Sequence, residues 1–130
     1  AVALLADLPG AEGDPIYRIA FAHLDEPDPR TLLAEDADLD AAATAALDLR
    51  LARLDRASSH GAWTRAYLEA IAAEPGRRAP DLAARFGRET QPFKTDVRKL
   101  KNLGLTVSLP VGYRLSPRGA SYLNGLRERA

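Results

Sequence analysis

Residues 79–119 read APDLAARFGRETQPFKTDVRKLKNLGLTVSLPVGYRLSPRG, and this stretch decides the fold. Pro80 is placed to open a short helix and Gly87 to end it, while Gly104 follows a second, basic helix. Ser116 and the proline after it begin another helix. The predicted elements are helices at 80–86, 91–103 and 117–128 and strands at about 105–109 and 112–115. The stretch therefore predicts a helix, a turn, a basic helix, a hairpin and a final helix, in that order.

The basic helix predicted at 91–103 has two different faces. Phe93, Val97 and Leu100 fall on one side of a helical wheel, and polar side chains fall on the other. The candidates for contact with bases, on the side away from the apolar residues, are Gln91, Thr95, Arg98 and Asn102. The candidates for contact with phosphates are Lys94, Lys99 and Lys101 on this helix, Arg114 on the hairpin and Arg118 at the start of the last helix. Arginine can read guanine and glutamine or asparagine can read adenine, whereas lysine suits phosphate.

An amphipathic helix that only faces solvent shows the same distribution of charge, so the helix alone does not establish binding. The elements next to this helix provide further evidence for nucleic-acid binding. Ala83 and Gly87, four residues apart, match the small residue and the turn glycine of helix-turn-helix units, and the hairpin adds Arg114. Together these features favour nucleic-acid binding, with docking of another protein as the second use of such a unit.

Two more helices are predicted upstream, at about 40–57 and 62–73, with a break at 58–61. In the first of them, Leu47, Leu51 and Leu54 form one apolar seam. This seam can pack against the rest of the same chain or against a second copy in a homodimer. Residues 2–8 are typical of a helix end, residues 16–21 alternate as in a strand, and the prolines of residues 25–30 predict a loop.

The formal net charge of zero conceals an asymmetry along the chain. Residues 1–56 hold 12 acidic and 5 basic side chains, a net charge of −7, and residues 57–130 hold 6 acidic and 13 basic, a net charge of +7. The C-terminal part therefore suits a polyanionic partner. Attraction between the two halves of the chain is the alternative, and the two interpretations are compatible.

The composition also excludes some classes of protein. There is no cysteine, hence no disulfide or thiolate chemistry, and no apolar run approaches the ~18–20 residues that span a bilayer. We therefore expect a cytoplasmic bacterial protein without membrane contact. The chain also lacks methionine, which leads us to expect further sequence upstream of residue 1.

No complete catalytic, metal or cofactor site is predicted. Asp36, Asp38 and Asp40 imitate the start of a calcium loop, but the glycine and glutamate required later in that loop are missing. His23 and His60 have no metal-ligand spacing around them. No serine stands in a GxSxG context, and no glycine-rich phosphate loop is present. We therefore expect no cofactor, no metal and no enzyme, unless a catalytic domain lies upstream of residue 1.

Residues 61–130 resemble the winged helix-turn-helix modules of bacterial regulators. The resemblance rests on the order of the elements and on the run that joins the basic helix, the hairpin and the last helix, here 103–105 and 112–119. It implies a mainly α fold with a small β component. It also implies that the helix at 91–103 enters the DNA major groove and that the hairpin at 105–115 forms the wing.

Residues 14–21, DPIYRIAF, resemble the last strand of an ASCH domain, a PUA-like β-barrel linked with RNA. The runs LARLDRASSHGAWT and GRETQPFKTDVRKLKNLGL are similar to actinobacterial proteins that join ASCH-like and winged-helix parts. The G-x-K-x-x-E-x-R motif of that barrel is absent here, so no residue inherits its role. The resemblance implies a barrel remnant at 1–30, an acidic linker helix within 31–60 and a winged helix-turn-helix domain at 61–130.

These observations support three hypotheses. The leading one is a DNA-binding transcriptional regulator that uses duplex DNA as its ligand. The second is an interaction module in which the acidic and basic parts bind each other or a protein partner. The third keeps RNA as the ligand of an ASCH-type protein, with the winged helix as an accessory or protein-docking module.

Overall fold

A computed structural model describes residues 29–129, with side chains from residue 32 onward. Its elements are α1 (Pro29–Glu35), α2 (Ala41–Ala57), α3 (Thr64–Ala73), α4 (Ala79–Arg85), α5 (Thr90–Asn102), β1 (Thr106–Ser108), β2 (Tyr113–Leu115) and α6 (Pro117–Arg129). This part of the chain is mainly helical with one two-stranded antiparallel sheet, which agrees with the predicted α+β class. The helix end predicted at 2–8, the strand predicted at 16–21 and the ASCH-like segment up to residue 28 lie outside the described residues.

The loop predicted at 25–30 is wrong at its end, because Pro29 begins α1. Proline is well placed at the first position of a helix, since the N–H that it lacks would have no partner there. Ala34 is buried, and α1 packs against α6. The proline therefore marks the start of a helix rather than the continuation of a loop.

α2 begins as predicted, and its leucines face inward. The Asp40 side chain accepts a hydrogen bond from the backbone N–H of Ala43 at 2.7 Å, which caps the helix. Leu47 and Leu51 are 3% and 5% exposed and belong to one hydrophobic cluster with side chains of α3–α6, and Leu54 packs partly against it. The seam thus packs within the chain. Leu47 and Leu51 are covered within one chain, and the homodimer contact predicted for the seam stays a prediction.

A carboxylate near the end of α2 caps the start of α3. Asp55 Oδ1 accepts hydrogen bonds from the backbone N–H groups of Trp63 and Thr64 at 2.8 and 3.0 Å, and Asp55 Oδ2 accepts one from the Thr64 hydroxyl at 2.9 Å. N–H groups at the start of a helix have no partner within it. Asp55 supplies that partner across the break at 58–61 and so fixes how the two helices are joined.

Gly87 ends α4 and turns the chain into α5. Its φ of +65° lies in the left-handed region that favours glycine, and the N–H of Arg88 donates to the carbonyl of Ala83 at 2.9 Å. α5 begins at Thr90, one residue before its predicted start, with Glu89 as its N-cap. The predicted sequence of helix, glycine turn and basic helix is therefore present.

The hairpin is shorter than predicted. The register pairs Thr106 with Leu115, Val107 with Arg114 and Ser108 with Tyr113. The Leu109 N–H donates to the carbonyl of Gly112 at 2.9 Å across the turn, and the Gly76 N–H donates to the carbonyl of Tyr113 at 2.8 Å. A Cβ at Gly112 would lie 2.4 Å from the carbonyl oxygen of Arg77, so glycine is required for this approach. The hairpin is thus attached to the segment that follows α3.

The core joins α2, α3, α4, α5 and α6. Its largest fully buried apolar side chains are Tyr67, Phe93, Leu68, Ile71, Leu82, Leu100, Leu105, Leu123 and Val97. The Tyr67 ring lies 4.7 Å from that of Phe86 and 4.8 Å from that of Phe93, measured between centroids. Such tilted aromatic pairs contribute beyond the area they bury. This cluster holds α3, the end of α4 and α5 in one arrangement.

Candidate nucleic-acid interface

α5 is anchored to the core by one of its faces. Phe93 and Leu100 are fully buried and Val97 is 2% exposed. Phe93 contacts both Tyr67 of α3 and Tyr113 of β2, with ring centroids 4.8 and 6.5 Å apart. The apolar stripe predicted from the sequence is therefore the docked side of the helix, and the opposite side is left to solvent.

The four candidates for base contact lie together on that opposite side. Gln91, Thr95, Arg98 and Asn102 are all exposed. Their spacing places them on one face over ~16 Å of helix, from a rise of about 1.5 Å per residue. The Thr95 hydroxyl donates to the carbonyl of Gln91 at 3.1 Å, so its oxygen still offers lone pairs to a donor. The structure thus brings the predicted set onto one surface.

The lysines flank this face on two sides. Lys94 is exposed and Lys101 is half-buried on one side, whereas Lys99 lies on the other, with its Nζ 3.5 Å from Asp96 Oδ1. Burial raises the pKa of Tyr113 in β2, and the positive charge of Arg98 opposes this increase. The charge of Arg98 therefore acts on a side chain of the hairpin, and Tyr113 also contacts Phe93 on the apolar side of α5.

The two predicted phosphate contacts beyond α5 also make contacts within the chain. Arg114 is exposed on β2, and its Nη1 donates to the carbonyl of Leu115 at 3.2 Å. Arg118 is half-buried, and its Nε donates to the carbonyl of Leu103 at 3.2 Å. The last carbonyls of a helix lack partners within it, so Arg118 closes the C-terminal end of α5. The sequence did not indicate this structural contact.

A buried ion pair under α5 was missed by the sequence analysis. Asp96, the only acidic residue within α5, is 6% exposed. Its Oδ2 accepts a hydrogen bond from Arg88 Nη1 at 2.9 Å, and the same Nη1 lies 3.1 Å from the Tyr67 hydroxyl. Burial raises the pKa of Tyr67, and the charge of Arg88 opposes that increase. The negative charge of α5 is therefore paired below the helix, while its exposed face carries only cationic and neutral side chains.

His60 joins this cluster from the connection between α2 and α3. Its Nε2 contacts Arg88 Nη1 and lies 3.6 Å from Asp96 Oδ2. A cavity of about 200 Å³ opens beside the cluster and is also lined by Ser58, Ser59 and Lys99. The sequence did contain one signal, because Asp96 falls on the apolar side of the helical wheel, where an acid needs a buried partner. The partner itself comes from the turn and was not indicated by spacing.

The structure shows no metal site within residues 29–129, where no group of three His, Cys, Asp or Glu side chains could hold an ion. Two of the aspartates that imitate a calcium loop accept hydrogen bonds from the backbone instead: Asp36 Oδ1 accepts from the Asp38 N–H at 3.0 Å, and Asp40 caps α2. No helix in the same range is long and apolar enough to cross a membrane.

Comparison with protein-family models, curated proteins and solved structures found no match to the chain. The role of the exposed face of α5 is therefore inferred from its side chains and their surroundings.

Proposed function

We propose that this chain binds duplex DNA through α5, as a winged helix-turn-helix protein in which the β1–β2 hairpin is the wing. The observation that carries the proposal is the composition of the exposed face of α5. This face presents Gln91, Thr95, Arg98 and Asn102 between lysines. The one acid of the helix, Asp96, is buried and paired with Arg88. A face of this kind attracts phosphates and offers donors and acceptors to base edges.

The proposed contacts divide by chemistry. Arg98, with Gln91, Thr95 and Asn102 on the same face, would meet base edges in the major groove, which at about 12 Å wide admits a helix. Lysines 94, 99 and 101 would contact phosphates on either side of the groove, because a lysine acts as a point charge without base preference. The proposed biological role is that of a cytoplasmic transcriptional regulator.

The wing in this proposal is short. Its turn spans only Leu109 to Gly112, and Val111 near the tip is 57% exposed. Arg114, on the exposed side of β2, is the hairpin cation that would reach a phosphate near α5. Arg118 would add a phosphate contact through its terminal nitrogens, because only its Nε is engaged with the end of α5.

Fluorescence anisotropy with random duplex DNA, single-stranded RNA and double-stranded RNA tests the proposal. Each titration is made at about 50 and 200 mM salt, because phosphate contacts determine the slope of affinity against salt. We expect duplex DNA to bind with a steep slope, Lys94→Ala to flatten the slope by about one, and Arg98→Ala to cost roughly 1–3 kcal/mol at a preferred site. Arg127→Ala, on α6, removes an exposed arginine away from α5 and is the matched control.

Two results would contradict the proposal. The first is the absence of duplex binding at low salt. The second is duplex binding that Lys94→Ala and Arg98→Ala leave unchanged, because the face would then be assigned wrongly. Binding confined to either RNA would instead favour the RNA hypothesis.

A further inference from the structure

The exposed side of α2 is basic, although residues 31–60 as a whole are acidic. Four of the acids, Glu35, Asp36, Asp38 and Asp40, precede the helix. The two within α2 are engaged: Asp48 accepts hydrogen bonds from Tyr122 and Arg129, and Asp55 caps α3. The charges that α2 leaves to solvent are Arg50, Arg53 and Arg56, all of them exposed. The exposed surface of α2 is therefore basic, in contrast to the acidic linker helix predicted within 31–60.

Two of these arginines line a groove between α2 and α5. Arg50 and Arg53, three residues apart, form one wall, and Lys99 and Asn102 of α5, also three apart, form the other. Two half-buried leucines complete the groove, which has a volume of about 320 Å³. Its lining residues are Arg50, Arg53, Leu54, Lys99, Asn102 and Leu103.

The lining holds three cations and no carboxylate. Among the described residues, no ion pair or hydrogen bond engages Arg50 or Arg53. Lys99 has one ion pair, the 3.5 Å contact with Asp96, and its side chain is 47% exposed, so the ammonium group can turn into the groove at little cost. Of the three cations only Lys99 has a counter-charge, so the groove as a whole is positive and an anion placed in it relieves the repulsion between the cations.

We propose that this groove takes a backbone phosphate of the duplex whose bases face α5. Asn102 lines the groove and also ends the exposed face of α5, so a strand lying against that face reaches the groove at this residue. The planar guanidinium groups of Arg50 and Arg53 match phosphate oxygens in a bidentate manner. α2 is then a second phosphate-binding element outside the helix-turn-helix. The inference rests on the proposed function and adds a surface to it.

The test compares Arg50→Gln and Arg53→Gln with Arg56→Gln in the full chain, using the same anisotropy titrations on random duplex DNA. Arg56 lies on the same helix and is also exposed, but it does not line the groove, so the control has the same change of charge. Thermal unfolding of each variant checks that the fold is retained. Since none of these arginines has a partner within the described residues, unfolding should be nearly unchanged.

One phosphate contact contributes about 0.9 to the slope of log affinity against log salt, which is roughly an eight-fold change in affinity at about 0.1 M salt. We expect a loss of this size for Arg50→Gln and for Arg53→Gln, the same on every duplex sequence, and no comparable change for Arg56→Gln. Two results would contradict phosphate binding in the groove while leaving the proposed function intact. The first is an equal effect of all three substitutions, and the second is no effect of Arg50→Gln and Arg53→Gln while Lys94→Ala still flattens the slope. A chain that binds no duplex at all would overturn the proposed function together with it.

Discussion

Replacing Asp96 by asparagine removes the charge under α5 and keeps the side-chain volume. The Asp96 side chain is 9% exposed and that of its partner Arg88 is 19% exposed. In Asp96→Asn the guanidinium stays among Tyr67, His60 and a neutral amide, without a counter-ion. We expect the substitution to destabilise the fold strongly while leaving every exposed residue of α5 unchanged.

The magnitude follows from the burial of the two charges. Breaking a fully buried pair by removing one partner costs about 3–5 kcal/mol, and a hydrogen bond to a charged group contributes about 1.5–3 kcal/mol. Arg88 is partly accessible to water and can recover some hydration, so the expected loss of unfolding free energy is about 2–3 kcal/mol. For a folded region of this size, that corresponds to a decrease in Tm of roughly 10–20 °C.

Urea unfolding at neutral pH, followed by circular dichroism, measures this loss. Lys99→Ala is the matched control, because Lys99 pairs with the same carboxylate but is 47% exposed and 3.5 Å away. An exposed pair of this kind contributes at most about 1 kcal/mol. The double variant Arg88→Met with Asp96→Leu should cost less than the sum of the two single substitutions, because it leaves no unpaired charge.

A loss below about 0.5 kcal/mol for Asp96→Asn would show that the buried pair does not stabilise the fold, since that is the range of surface substitutions. The loss of unfolding free energy in the double variant could also equal the sum of the losses in the two single variants. That result would show that Arg88 and Asp96 do not interact.

Three further predictions concern contacts between neighbouring elements of the fold. Asp55→Ala should destabilise it by about 2 kcal/mol in urea unfolding, because the start of α3 loses its cap. Gly119→Ala should cost about 2–3 kcal/mol in the same assay, because the added Cβ would lie 2.0 Å from the carbonyl oxygen of Leu105. The hydrogen bond from Arg129 lowers the pKa of Asp48 from its ordinary 3.8, so this contribution to stability is present above that value and is lost as pH falls through the lower, folded-state pKa. Asp48→Asn should therefore flatten the decrease in unfolding free energy below about pH 4, measured by urea unfolding across pH.

Each of these predictions has a control or a contrary outcome. Gly125→Ala is matched to Gly119→Ala on the same helix, and its Cβ would meet nothing within 4 Å, so it should be neutral or slightly stabilising. Equal costs for the two glycines would contradict the close approach. An Asp55→Ala chain as stable as the parent would mean that water caps α3 equally well. If the unfolding free energies of Asp48→Asn and of the parent decrease equally as the pH falls, the Asp48 carboxylate has no favourable partner.

Local signals predicted most of the secondary structure. Periodic leucines and an aspartate before them predicted α2, and the apolar stripe through Phe93 and Val97 predicted α5 within one residue at each end. The helix α1 was missed because a proline was interpreted as a breaker, although Pro29 stands at the one helical position that suits it. The strands were predicted too long because the alternation of apolar residues continues into the turn, where pairing has already ended.

The contacts that position the candidate site were not predictable from spacing. Arg88 and Asp96 lie eight residues apart, on a turn and a helix, and they meet His60 only through the tertiary fold. The capping of α3 by Asp55 and the groove formed by Arg50 with α5 likewise depend on how α2 packs. The helical wheel nevertheless identified the face of α5 that is exposed, since burial of its opposite side follows from periodicity alone.

Contact between duplex DNA and the exposed face of α5 can be observed residue by residue in an NMR titration of the ¹⁵N-labelled chain with a short duplex. We predict that the largest amide shift changes fall within Thr90–Asn102 and at the hairpin around Arg114, with smaller changes at Arg50 and Arg53. Amides of the buried helix α3 should change little. Shift changes confined to α1 or α6, or none at saturating duplex and low salt, would contradict the account.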